Sequence, residues 1–193
     1  MIPGILAKFN FLDFIILIVL IRICYIAAKT GLSVEIFKLS GVLLSTYTAL
    51  HYYTAFSDLI QKRFLPKVMP LEFVDFLVFV LLIAVVYLCF VVLRSLLFRF
   101  IQLNAIPRIN QIAGLILGIC RSFLVVGLIS FSLAISSVTY LSGLTKHSYL
   151  GSRALSIAPG AYNWLWISIF SKFSADEKFN STVVDTVNKF DRK

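Results

Sequence analysis

The residues that could do chemistry are charges set inside apolar sequence. Residues 110–123 read N-Q-I-A-G-L-I-L-G-I-C-R-S-F, and Arg121 is the one charge between Arg108 and Lys146. An unpaired charge at bilayer depth costs several kcal/mol, so Arg121 calls for a partner, and Asp13, Glu35 and Asp75 are the candidates. Such a pair could serve as a relay or ligand-binding pair, or as a structural clamp, and the clamp is the stronger reading. Arg22 lies near a helix end, where it snorkels to the interface. His51 and His147 have neither an i+4 partner nor a nearby cysteine, so no metal is expected. His51-Tyr52-Tyr53 reads as an interfacial aromatic belt. Cys24, Cys89 and Cys120 show no C-x-x-C spacing and read as small buried hydrophobes. No G-x-S-x-G, H-E-x-x-H or P-loop pattern and no nucleophile–base set is present, so neither enzyme nor cofactor is expected.

The composition dictates what must position these residues. Of 193 residues, 60% are hydrophobic and only 14% charged, with a mean hydropathy of +0.94. A soluble domain is about 25% charged, so this chain reads as an integral membrane protein, all-α and polytopic. The net charge of +9 is spread singly or in pairs at the ends of apolar runs. That suits lipid-facing anchors and argues against nucleic acid. The lipid bilayer is the expected surrounding, with a homo-oligomer or a membrane protein as possible partner.

Four spans are expected in a membrane domain, residues 1–145, with a C-terminal interfacial segment and tail over 146–193. Span one covers about 9–28, with Asn10 capping its start and Asp13 favoured by the helix dipole. The first run lacks a cleavage site and reads as a retained span, not a signal peptide. Gly31 fits a helix C-cap. Span two covers about 34–56 and is the most polar; Gly41, Ser45 and Ala49 recur every four residues, a flat stripe for close helix packing. It either crosses inside the bundle or forms a re-entrant helix. Residues 57–72 read as a water-exposed loop, and span three as 73–93. Residues 94–106 alternate Arg94, Arg99 and Gln102 with leucines, as an interfacial helix or a tilted extension of span three. Span four covers about 110–140, where Gly114, Gly118 and Ser122 form a second small-residue stripe. Residues 141–163 form a Gly/Ser/Pro-containing segment, and the Trp164–Phe170 stretch reads as an interface anchor. Ser174-x-x-Glu177 has capping-box spacing. Behind it, Phe179, Val183, Val187 and Phe190 recur at helical intervals, so a short terminal helix should dock on the membrane surface or on a partner. Lys and Arg counts are about equal on the two sides, which leaves orientation open, while an even number of spans puts both termini on one side.

Several stretches together resemble the colicin V production protein family of bacterial inner-membrane proteins. F-N-F-L-D-F-I-I-L, with Asn10 and Asp13, is similar to the family's opening. G-L-S-V-E-I-F-K-L-S-G, with Gly31, Glu35 and Gly41, is similar to its start of span two. A-I-P-R-I-N-Q-I-A-G-L-I-L-G-I-C-R-S-F resembles its glycine-rich segment ending in arginine, and S-Y-L-G-S-R-A-L-S-I-A-P its post-membrane segment. The resemblance covers about residues 9–160. It departs from the family in the turn after span one and at His51-Tyr52-Tyr53. It implies four spans, the bacterial plasma membrane, a role in toxin (colicin) production or export, and no catalysis.

Arg121 lies about 18 Å into span four, past mid-bilayer if that span starts near 109. On that reckoning Asp13 and Asp75 sit nearer to it than Glu35. Asp13 is the preferred partner because its match to the family opening is the more specific. Two function classes follow: an assembly or interaction factor at the membrane, or a small oligomeric transporter or channel subunit.

Overall fold

The computed structural model describes residues 10–63, 69–100, 107–136, 138–173 and 177–191, and the secondary structure among them is helical. Four long helices carry the fold: α1 (Phe11–Thr30), α2 (Leu32–Arg63), α3 (Leu71–Phe100) and α4 (Pro107–Ile135). Shorter ones follow: α5 (Thr139–His147), α6 (Tyr149–Ala154) and α7 (Ile157–Leu165). A π-helical stretch, Trp166–Phe170, runs on into Ser171–Phe173, and α8 (Ser181–Asp191) ends the described chain.

α1 starts where Asn10 and Asp13 form a reciprocal capping box, each side chain bound to the other end's backbone N–H. It ends at Gly31, whose φ of 78° lies in the left-handed region that favours glycine. That single residue joins α1 to α2. The two helices diverge from the corner, and α4 packs against both, while α3 runs along α2. The core lies where α2, α3 and α4 meet, around Tyr53, Phe79 and Phe131, whose rings pack edge-on and tilted.

Three helices are long and apolar enough to cross a membrane: Phe11–Thr30, Leu71–Arg99 and Arg108–Ile135. Their outer faces are rows of exposed apolar side chains, such as Phe14, Ile18 and Ile21 on α1 and Leu81, Leu88 and Val92 on α3. With no water to exclude, a membrane helix has no reason to hide such faces. α2 is not among the three, because its uncharged stretch 39–56 is diluted by Ser40, Ser45, Thr46, Thr48, His51 and Thr54. It is nonetheless one continuous helix of 32 residues, about 48 Å long. It also extends through much of the stretch expected to be a loop.

Other expectations change. The helix expected over 110–140 stops at Ile135. Arg94–Phe100 is continuous with α3, so the tilted-extension alternative describes it, and 101–106 lie outside the described residues. Residues 141–163 are largely helical rather than loop, with Pro159 placed in the first turn of α7, where its missing N–H is tolerated. α7 crosses α4 so closely that a Cβ on Gly127 would stand 2.9 Å from the Ala158 backbone nitrogen.

Candidate functional site

The α1–α2 corner brings together Gly31, Glu35, Gly114, Gly118 and Arg121. Gly31 brings the first turn of α2 against α4, where the Asn110 side-chain oxygen accepts from the Leu32 N–H at 2.7 Å. A Cβ on Gly31 would run into the Asn110 side chain. One turn on, Gly114 leaves only enough room for the backbone of Gly31, 2.7 Å from where its own Cβ would be. A Cβ on Gly118 would collide with that of Ala27. Ser122, the next residue of the stripe, is buried and donates to the Ile119 carbonyl at 2.7 Å. The α4 stripe therefore seats α4 on the end of α1. The α2 stripe faces α3 in part: Gly41 abuts Phe90, Ser45 donates to the Gly41 carbonyl at 2.7 Å, and Ala49 is wholly buried.

This close approach allows a buried charge cluster. Glu35 is 0% exposed. Its Oε2 lies 3.0 Å from Arg121 Nη2, and its Oε1 accepts from Lys38 Nζ at 2.6 Å and from the Thr30 hydroxyl at 2.7 Å. One carboxylate thus faces two cations. Arg121 Nε is buried and has no hydrogen-bond partner among the described residues.

Asp13, the expected partner of Arg121, is elsewhere. It sits at the opposite end of the bundle, also 0% exposed. Its oxygens accept from the backbone N–H groups of Asn10 (2.7 Å), Tyr149 (3.2 Å) and Leu150 (2.7 Å) and from the Ser148 hydroxyl (2.6 Å). Four donors satisfy this carboxylate without a cation. Asp75 accepts from the Ser57 hydroxyl, also away from Arg121. The expectation failed on direction. α2 starts at the end of the bundle where α4 also starts, so Glu35 and the entry of α4 are neighbours. A helical side chain leans toward its helix N-terminus, which swings the Arg121 guanidinium back toward Glu35.

A second cluster, at the Asp13 end, was not expected. His51 is buried, not an interfacial anchor. Its Nδ1 lies 2.9 Å from the Tyr162 hydroxyl and its Nε2 3.3 Å from Glu177 Oε2, with Tyr47 and Trp166 stacked on either side. The Tyr52 hydroxyl donates to Glu177 Oε1 at 2.6 Å. Asn180 donates from its side chain to the Leu50 carbonyl at 2.9 Å and from its backbone to the Tyr162 hydroxyl at 3.0 Å. Burial pushes the Tyr162 hydroxyl above its ordinary pKa, against the pull of the Asn180 N–H. Glu177 is therefore not a capping-box residue: it precedes the helix, Ser174 lies outside the described residues, and Asn180 accepts from Thr182 N–H at the start of α8. The row Phe179, Val183, Val187 and Phe190 packs on the chain's own core, where a membrane surface or a partner was expected.

No pattern of nearby His, Cys, Asp and Glu able to hold a metal occurs among the described residues. The cysteines are free, with Cys89 and Cys120 exposed on the outer faces of α3 and α4.

Neither a curated protein nor a solved structure matches the chain. The family model described as colicin V production protein matches residues 12–159, a stretch that holds Asp13, Glu35, Arg121 and Ser148. A match over that much of the chain, running through both polar ends of a helical membrane bundle, places this protein in the colicin V production protein family.

Proposed function

We propose that this protein is a non-enzymatic, multi-pass component of the bacterial inner membrane that supports toxin (colicin) production or export as an assembly or interaction factor. Family membership motivates the role. The observation that carries the non-transporting form of it is the engagement of the interior charges: Glu35 is bound by Arg121, Lys38 and Thr30, and Asp13 by four donors. Groups committed in this way hold helices together and are poorly suited to handing on an ion. In this reading α2 is a fourth crossing helix, shielded from lipid by α3 and α4, and the exposed rows of α1 and α3 are free to meet a membrane protein partner or a second copy.

The test is colicin V release from a producing strain whose own family member is deleted, complemented by this chain. Restored release supports the reading; unchanged release with the protein correctly inserted contradicts it. A second reading, a small oligomeric transporter or channel subunit, is favoured by one feature. A cavity of about 520 Å³ at the Asp13 end has Glu72, Asp75, Lys146 and Lys189 among its lining residues. Ion flux through proteoliposomes of the purified protein would favour this reading over the first.

A further inference from the structure

A second cavity, of about 510 Å³, is a groove between α3 and α4. Along α4 it is lined by Arg121, Val125, Leu128, Ile129 and Ser132, and along α3 by Ala84 and Tyr87 among others. The α4 residues share one face and span about 16 Å of helix. The groove is therefore long, narrow and apolar, with its one charge, Arg121, at the corner end.

That end is cationic. Tyr87 also lines a small neighbouring hollow with Lys38 and Arg94. The single carboxylate there, Glu35, is already held by Lys38 and Arg121. One positive charge of the cluster is left over. Arg121, only 6% exposed, keeps a buried Nε with no hydrogen-bond partner among the described residues. The guanidinium, not the Arg121 backbone, sets where a headgroup would sit, and it stands 3.0 Å from Glu35 in the first turn of α2, beside the corner. The Arg121 side chain leans back toward the corner to meet Glu35.

We propose that the groove binds one acyl chain of an anionic membrane lipid, whose phosphate is held at Arg121 with Lys38 and Arg94 nearby. Charge complementarity selects the headgroup, and the apolar walls take the chain. The site would make a particular lipid class part of the bundle between α3 and α4. It does not depend on the export role, only on residence in a membrane.

Native mass spectrometry of the full chain tests this, with the protein released from mixed vesicles of phosphatidylglycerol and phosphatidylcholine. One uncompensated cation near the surface predicts about fivefold preferential retention of phosphatidylglycerol. Ala84→Phe should fill the groove and abolish that retention, while Val85→Phe, on the exposed outer face of α3, should leave it intact. Free glycerol 3-phosphate, a headgroup without a chain, should not displace the lipid. Equal retention of the two lipids overturns the proposal on the wild-type chain alone. So does undiminished retention by a folded Ala84→Phe variant, or displacement by glycerol 3-phosphate.

Discussion

The two ends of the bundle solve the same problem differently. At the α1–α2 corner, oppositely charged side chains meet: Glu35 faces Arg121 and Lys38, and small residues bring the helices close enough for this. At the other end, Asp13 is satisfied by backbone N–H groups and a hydroxyl, and the terminal segment is pinned through His51, Tyr162 and Asn180. The corner joins segments across a glycine turn and a small-residue stripe. The opposite end joins α1 and α2 to the last quarter of the chain. An ion cluster is unforgiving, because removing one member strands another. A set of neutral or singly charged hydrogen bonds loses its members one at a time.

Substitutions can break or sharpen that contrast. Glu35→Ala should have the largest effect, about 3–5 kcal/mol, because it leaves the buried Arg121 without a counter-charge. Arg121→Ala should cost less, since Lys38 and Thr30 still hold Glu35. Unfolding in detergent, followed by circular dichroism, reads both, and the reverse order would mean that Lys38 carries little of the cluster. Gly118→Leu should cost about 3 kcal/mol, near the upper end for overpacking, as the new side chain meets Ala27. Ile116→Leu on the exposed face of the same helix should be close to neutral. If the two variants melt together, the small-residue seat is wrong.

At the other end the effects should be smaller. Asp13→Asn removes the charge that four donors converge on and should cost about 2 kcal/mol. Asn180→Ala removes the tail's bonds to α2 and should cost about 1 kcal/mol. Its more direct readout is faster hydrogen exchange in α8, with exchange in α1 and α4 unchanged. Uniformly faster exchange would mean that the tail is part of the global core and not a separately docked unit.

The features that declared themselves in sequence are those with short, regular spacing. Asn10 reads as a helix cap, to which the structure adds Asp13 as its reciprocal partner, and Gly114, Gly118 and Ser122 sit four apart and share a helix face. Gly31 stands out because little else tolerates its φ. The pairing of Arg121 was misjudged although Glu35 was a candidate. Counting residues from the start of α4 locates a backbone position, whereas the guanidinium sits well back along the helix from it. The tail cluster was not readable. His51 and Tyr162 are 111 residues apart, and neither follows a periodic pattern that points to the other. Glu177 even carried a misleading local signal, because S-x-x-E spacing suggests a cap, while tertiary bonds to Tyr52 and His51 claim the side chain instead. The terminal helix shows in its apolar spacing, whereas α5, α6 and α7 read as loop because of their Gly, Ser and Pro.

The central claim is that Arg121 belongs to Glu35 and acts as a structural clamp at the corner. Its most direct test is a pair of double-mutant cycles on unfolding free energy. One combines Glu35→Gln with Arg121→Gln, the other Asp13→Asn with Arg121→Gln. The structure predicts a coupling above about 1 kcal/mol in the first cycle and additivity within about 0.5 kcal/mol in the second. Additivity in the first cycle together with coupling in the second would place Arg121 on Asp13 and contradict the account.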